Sequence, residues 1–487
     1  MSDHCQNIQQ AEGGSESTAR QKKPYHLFQY RDNKYAIHID SSSVIRLDDP
    51  GYDALSFLLK HDTPDEMGAF LSQKYDEATV QSVVQEIGVL KANGFFFEPA
   101  VRYDEEQQKK YLERYSKLPS QSITLFLAEK CNLQCGYCFV RENKVLDHGQ
   151  LMSWDVAKQS IDFAFRRAEN IDNVNIVFFG GEPLLNKKVL YKAVAYGEEL
   201  AQQQGKEVNY SMTTNATLMD TEMIQYIIQH KIAVLISLDG AKEVHDSIRP
   251  FANSQASSHD VTVKNIQELM KQGSAVSVRC TISSRYLDRI EQYRFFRDLG
   301  VAKIIMEPCV GTSEHNSPFD VEEPENATLQ KQDDYFLDKI LEQLGRKEQV
   351  LYNPWDFLLM HIHYKERQMP CSAGRDNASV SVDGKLYPCP RYVGMDEYIL
   401  GDIWTGLDQE KYESYLSGYL HTTKKCENCW AVNFCTGYCP WLVSLDNGEF
   451  REPLNWWCDN LLKKYEQAAW LYDMIRTDYP HCIGSIK

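Results

Sequence analysis

The sequence predicts an α/β protein built on an incomplete barrel, with a small strand-and-helix domain before it and a cysteine-rich domain after it. Three observations predict this. Six apolar runs recur with helical stretches between them: ITLFLAE, NIVFFGG, VNYSMTTN, AVLISLDG, AVSVRCTIS and KIIMEP. Such runs read as buried parallel strands in βαβ units, and six units fall short of the eight that close a barrel. Ahead of them, residues 24–98 hold three short alternating segments followed by three helical ones. Behind them, from Cys371 onward, cysteines crowd together and clear periodicity fades. The length of 487 residues suits roughly three domains, and 43% hydrophobic with 25% charged residues suits a globular chain.

Taken in order, residues 1–22 are polar, contain GGSES, and read as a disordered tail. Residues 23–104 form the small domain. HLFQYRD, KYAIHID and SVIRLDD are its strands. Asp49 before Pro50 marks a helix start, and Tyr52, Leu55, Leu58 and Leu59 share one helical face. Thr63 and Pro64 open a second helix, and a third stops at Gly94. The barrel takes residues 105–314, led by a charged linking helix, EEQQKKYLERYSKL. Residues 315–365 read as a helical bridge and 366–460 as a loop-rich domain whose core is partly inorganic. Residues 461–487 read as a terminal helix. Active residues should gather at the C-terminal ends of the barrel strands. CNLQCGYC follows the first of these strands.

The net charge of −17 argues against a nucleic-acid partner, because a phosphate backbone needs a basic surface. No apolar run is long enough to span a membrane, and the N-terminus lacks a signal-peptide core. The expectation is a cytoplasmic protein with no membrane partner. Fourteen cysteines is many for that compartment, and ten of them fall into two groups. Clustered thiols there read as metal or redox sites. Cys131, Cys135 and Cys138 form C-x3-C-x2-C. A four-iron cluster has four corners, so three thiolates leave one iron open to a cofactor or substrate. A zinc site lacking a ligand is the other reading of that loop alone.

The three-cysteine loop after the first strand resembles that of radical S-adenosylmethionine (radical SAM) enzymes. The resemblance implies a partial (β/α)6 TIM barrel and a [4Fe-4S] cluster whose open iron chelates S-adenosylmethionine. One electron then cleaves the sulfonium and releases a 5′-deoxyadenosyl radical. Phe179 to Pro183 (FGGEP) matches the family too. It implies that Gly180 and Gly181 let backbone approach the ligand and that Glu182 accepts from the methionyl ammonium. By the same resemblance Asn215 contacts the ribose region, Ser237 and Arg249 serve the cofactor, and Tyr137 lies near the adenine. An electron donor such as a flavodoxin or ferredoxin is implied as a partner.

The second group reads Cys371, Cys389, then Cys426, Cys429, Cys435 and Cys439 as C-x2-C-x5-C-x3-C, then Cys458. It resembles the SPASM extension of radical SAM enzymes, which implies two auxiliary [4Fe-4S] clusters and so three in all. Cys426, Cys429, Cys435 and Cys458 would form the outer one, and Cys371, Cys389 and Cys439 the inner. The inner cluster's fourth iron is then open, or takes a distant ligand such as Cys309. A zinc knuckle is the alternative, although seven thiols do not divide neatly into zinc sites.

Residues 24–98 resemble the winged-helix, PqqD-like module that binds leader peptides in peptide-modifying systems. That implies a ribosomally made precursor peptide as partner, adding as a strand at Ile45, Arg46 and Leu47, with Tyr52 and Leu55 receiving leader side chains. This domain order resembles maturases of ribosomally made peptides, whose largest subset joins a cysteine sulfur to a carbon as a thioether. A carbon–carbon crosslink or an epimer is a second outcome, and an iron–sulfur protein without cofactor cleavage a third. Sulfatase maturases are also similar, but they carry an aspartate after the cysteine equivalent to Cys389, where this chain has Pro390, and they lack the N-terminal module. Asp239, Asp246 and Glu307 are candidate bases by location alone.

Overall fold

The computed structural model describes residues 24–61, 63–94, 106, 109–110, 113, 122–169, 171–310, 317–364, 371–420, 426, 429–433, 435, 437, 439–443 and 455–485. The tail at 1–22 and most of the linking helix lie outside them. The chain divides into two compact units. The first takes Met1–Arg102 with Asn428–Asn433, and the second takes Tyr103–Glu427 with Phe434–Lys487.

In the first unit, β1 (Tyr25–Tyr30), β2 (Asn33–His38) and β3 (Ser43–Leu47) form an antiparallel meander in that order, which leaves β3 at an edge. Three helices follow: α1 (Asp49–Lys60), α2 (Pro64–Leu71) and α3 (Glu77–Ala92). The cap of α1 is Asp48 rather than Asp49, since its side chain accepts from the Gly51 amide. Leu55 and Leu58 pack with Tyr25, Ala36, Val83 and Ile87 in the core. Leu55 is only 1% exposed, so the expectation that it receives a leader side chain is corrected: its apolar surface is already used by the unit's own core. Tyr52 is half-buried, Ile45 and Leu47 are half-buried, and Arg46 is exposed. From the C-terminal region, Trp430 stacks on His26 of β1 with centroids 3.9 Å apart.

The second unit is organised by one sheet. Its parallel part is β4 (Ser122–Phe126), β5 (Asn173–Phe179), β6 (Glu207–Thr214), β7 (Ala233–Ser237), β8 (Ser277–Ile282) and β9 (Lys303–Pro308), adjacent in chain order. The crossover helices are α4 (Trp154–Arg167), α5 (Lys187–Gln204), α6 (Thr221–Gln229), the pair α7 (Lys242–Ile248) and α8 (Ser258–Lys271), and α9 (Arg289–Leu299). Side-chain caps from Ser153, Asp220, Ser257 and Asp288 start four of them. Three helices follow the barrel strands: α10 (Glu323–Gln330), α11 (Asp333–Gly345) and α12 (Asp356–Tyr364).

Two expectations change beyond this point. The cysteine-rich region is not a separate layer. Its strand β10 (Asn377–Val380) runs parallel to β4, with Asn377 opposite Ser122, and β11 (Lys385–Tyr387), β12 (Gly401–Asp402) and β13 (Gly406–Leu407) extend the same sheet. It also has an apolar core of its own. Tyr387, Tyr392, Tyr398, Tyr412, Tyr415, Leu416 and Trp441 pack with Phe126, Val140 and Val145 from the barrel. The low periodicity hid this because the aromatic residues come from loops and short helices, not from one regular face. After α13 (Gln409–Leu420), the terminal helix α14 (Asn455–Asp478) begins ahead of residue 461, so Cys458 stands on it. No helix among the described residues is long and apolar enough to cross a membrane.

α12 is held to α14 partly by His361. This ring is fully buried, and its Nδ1 lies 2.9 Å from the Tyr465 hydroxyl. Burial pulls its pKa down to about 4 from 6.5. The unfolded chain therefore takes up this proton first, and stability present above pH 6.5 is lost as pH falls toward 4, by up to about 3 kcal/mol. Denaturant midpoints for His361→Phe should fall less between pH 7 and pH 5 than those of the wild type.

Candidate active site

Burial alternates along the barrel strands. In β5, Val174, Ile176 and Phe178 are buried, and in β8, Val278, Cys280 and Ile282 are. The opposite face, with Ser211, Thr213, Ser237, Arg279 and Thr281, is only half-buried. That face and the strand ends above it carry the polar groups.

The three-cysteine loop is fixed along both flanks by backbone bonds. The amides of Gly181 and Glu182 donate to the carbonyls of Ala128 and Lys130, each at 2.8 Å. The amides of Gln134 and Gly136 donate to the carbonyls of Pro250 and Ile248 at 2.8 and 3.0 Å, and Ala252 donates back to Asn132 at 2.9 Å. The loop is thus zipped to the segment that follows α7. The glycines of FGGEP serve this contact. Gly180 has φ +139°, and a Cβ there would lie 2.7 Å from the Ala128 oxygen. A Cβ on Gly181 would strike the Lys130 carbonyl. Their smallness admits the loop's own backbone, where the resemblance assigned it to the ligand.

Glu182 also differs from expectation. It is fully buried and accepts from the Leu184 amide at 3.0 Å, the Thr214 hydroxyl at 2.7 Å and the Asn215 amide at 2.9 Å. Burial pushes its pKa up to about 7, against the pull of those donors. As placed, it ties the end of β5 to the end of β6, with no surface turned to a methionyl ammonium. Asn215, which it positions, directs its side-chain amide to the Asn132 oxygen at 3.0 Å and toward the Cys131 sulfur at 3.8 Å.

On the other flank stands a buried ion pair. Arg249 Nε lies 2.7 Å from Asp239 Oδ2, and its Nη2 lies 3.3 Å from Oδ1. Tyr137 donates its hydroxyl to Asp239, and the Thr281 amide donates to Asp239 at 2.9 Å. Burial works against the Asp239 charge, yet Arg249 overcomes it and holds the carboxyl below its usual range. The remaining Arg249 nitrogen points to the Cys135 sulfur at 3.8 Å, and the guanidinium lies 5.2 Å from the Tyr137 ring centre. Asp239 is therefore committed as a brace, and its candidacy as a base falls. His245 beside it is kept neutral, with burial pulling its pKa down to about 3. Asp246 accepts from the Ser258 hydroxyl and the His259 amide at the start of α8, beside the Ser257 cap. Glu307 is exposed on β9. Ser237 ends β7 opposite Arg279.

The donor set suits a metal cluster. Burial raises the pKa of Cys131 and Cys138 and pushes Cys135 up to about 11. Thiolates there need a compensating cation. The N–H groups of Leu133, Asn215 and Arg249 all face these sulfurs, which favours sulfur carrying negative charge. Among the described residues no three thiol, imidazole or carboxylate groups converge on a single-ion centre.

In the second group, Cys389 lies within electrostatic reach of Cys439 and Cys371, and burial raises its pKa to about 12. Cys389, Cys439 and Cys138 pack against the same aromatic core. Cys426, Cys435 and Cys458 are half-buried, and Cys429 belongs to the segment grouped with the first unit. Cys309 donates its thiol to Asp320 at 3.2 Å.

Residues 125–292 match the family model of the radical SAM superfamily. The chain carries a radical SAM domain. Its implied cofactors are a [4Fe-4S] cluster and S-adenosylmethionine. Among curated relatives, the chain is 26% identical over 328 residues to the cysteine-type anaerobic sulfatase-maturating enzyme of Clostridium novyi, covering 64% of this chain and 85% of that protein. It is 22% identical over 427 residues to the radical SAM cyclopropyl synthase TigE of Paramaledivibacter caminithermalis, covering 84% and 86%. Among solved structures, anSMEcpe with bound AdoMet and the Cp18Cys peptide superposes with a TM-score of 0.62 at 20% identity, covering 74% of this chain and 99% of that one. Streptococcus suis SuiB bound to its precursor peptide SuiA gives 0.50 at 15% identity, covering 88% and 98%. These likenesses to solved structures show the fold.

Sequence reasoning missed the brace at Asp239 and the zipper at 248–252. The available signal was an Asp and an Arg ten residues apart across a short helix in the radical SAM domain. Arg249→Met should destabilise the protein by about 3–5 kcal/mol because it strands a buried carboxylate. The double variant Asp239→Asn with Arg249→Met should lose less than the two single losses added together. Thermal denaturation of the four proteins checks both statements. Gly181→Ala should also lower the melting temperature, since the clash is with main chain.

Proposed function

We propose that this protein is a radical SAM maturase that installs thioether crosslinks, from a cysteine sulfur to a carbon of an acceptor residue, in a ribosomally made precursor peptide. The observation that carries the reading is the pinned three-thiol loop at the strand ends, facing N–H donors. Cys131, Cys135 and Cys138 would hold the cluster. When bound, cluster and cofactor supply a 5′-deoxyadenosyl radical that removes a hydrogen atom from the peptide. The chain's own residues orient that chemistry. Asn215 and Arg249 present N–H groups to the thiols, Tyr137 is held still by Asp239, and Ser237 on the half-buried strand face would serve the cofactor.

Cys371, Cys389 and Cys439 would hold an inner auxiliary cluster, and Cys426, Cys429, Cys435 and Cys458 an outer one. With three protein thiolates, such a cluster would have an iron available to a substrate sulfur, unless a distant ligand such as Cys309 filled it. The edge strand β3, with Ile45, Arg46 and Leu47, would accept the leader as a further strand, next to half-buried Tyr52. Relatives support a peptide substrate by name: anSMEcpe and SuiB were solved with peptides bound.

A second reading, maturation of a sulfatase, is favoured by the relative in Clostridium novyi. Against it, Pro390 and Arg391 follow Cys389, so no carboxylate stands there to take a proton. Carbon–carbon bond formation is favoured by the likeness to a cyclopropyl synthase.

Reconstituted anaerobically with a reductant, the protein should cleave S-adenosylmethionine to 5′-deoxyadenosine. Alanine at Cys131, Cys135 or Cys138 should abolish this. A co-expressed precursor should lose two hydrogens per link and one alkylatable cysteine with each. Loss of hydrogens with every cysteine still alkylatable would move the reading to carbon–carbon links. No 5′-deoxyadenosine from the wild type would sink it.

A further inference from the structure

Arg391 joins the two cysteine groups. Its guanidinium carbon lies 5.3 Å from the ring centre of Phe139 and 4.7 Å from that of Trp441. Phe139 directly follows Cys138, Trp441 stands two residues after Cys439, and Arg391 stands two after Cys389. One planar cation is therefore clamped between rings anchored beside a thiol of each group. Its backbone is fixed as well. The Asn143 side-chain amide donates to the Arg391 carbonyl at 2.7 Å and to the Val393 carbonyl at 3.1 Å. Phe139, Trp441, Cys138, Cys389 and Cys439 all lie on one aromatic core, a medium in which a fixed charge acts over a longer range than in water.

We propose that Arg391 is a positioning residue whose clamped guanidinium raises the reduction potential of the inner auxiliary cluster held by Cys371, Cys389 and Cys439. The inference rests on the auxiliary-cluster reading above. Reduction adds one negative charge to a cluster, so a fixed neighbouring cation stabilises the reduced form. The clamp matters because a guanidinium stacks on ring faces as a plane, which an ammonium cannot imitate.

The test is potentiometry followed by electron paramagnetic resonance. It is run on anaerobically reconstituted protein, and again with Cys131, Cys135 and Cys138 changed to alanine so that auxiliary signals are read alone. Iron and sulfide are counted in every sample. With Arg391→Met at unchanged iron and sulfide, one auxiliary midpoint should fall and the other stay. Arg391→Lys should fall between Arg391→Met and wild type. An unshifted midpoint in Arg391→Met overturns the proposal. Should Arg391→Met lose iron, Arg391→Lys decides. Retained clusters with a near-native midpoint support the charge role, and lost clusters overturn it in favour of packing. Wild-type protein without auxiliary signals would instead refute the cluster reading itself, before any variant is compared.

Discussion

The site depends on a charge that the fold had to bury. Asp239 is fully enclosed at the end of β7, where a carboxylate is costly unless it is paired and saturated. Arg249, Tyr137 and the Thr281 amide together saturate it. Those three groups come from the segment after α7, from the cysteine loop and from β8. One buried carboxylate therefore fixes the relative positions of two neighbouring strand ends and the loop that bears the thiols. Glu182 does the corresponding work between β5 and β6. The thiols sit between these two braces, on backbone bonded along both flanks. Such a loop has little freedom left to lose when a cluster forms, which is how a weakly structured Gly- and Cys-containing segment becomes a rigid ligand frame.

Much of this was legible in the sequence. The barrel strands announce themselves as apolar runs such as NIVFFGG recurring between helical stretches, although burial within them alternates from residue to residue. The cysteine spacing stands out because thiols so placed suit few roles, an iron–sulfur cluster or a zinc site among them. What was not legible is whatever depends on distant segments meeting. Nothing local about Asp239 separates a brace from a base, since the difference lies in Arg249 and Thr281. Leu55 reads equally well as a core residue or as a pocket, and only packing against Tyr25 and Ile87 decides for the core. Gly180 and Gly181 signal a close approach correctly, but the sequence cannot say that the approaching group is the Ala128–Lys130 backbone.

The cysteine-rich region shows what composition leaves out. Thiol density suggested a core that is partly inorganic. The region also has a dense aromatic core, contributed by residues without regular spacing and shared with Phe126 and Val140. The first cysteine loop and the inner cysteines are therefore packed on common side chains. A change in volume at Tyr392 or Trp441, both buried to within 1% of full enclosure, would be felt at Cys138 as well as at Cys389.

The pairing of β10 with β4 sets an order of events during synthesis. β4 is the first barrel strand made, yet its outer neighbour is supplied by residues far along the chain. The bond from the Thr124 hydroxyl to Asn377 spans 253 residues. Until that late segment leaves the ribosome, β4 is an open strand margin bearing Ile123, Leu125 and Phe126, the kind of surface that recruits chaperones or stray strands. A nascent chain halted before residue 377 would thus hold every parallel barrel strand and still be sticky. The last strands of the sheet close its first one, which makes the C-terminal region a folding requirement for the barrel as well as a carrier of cysteines.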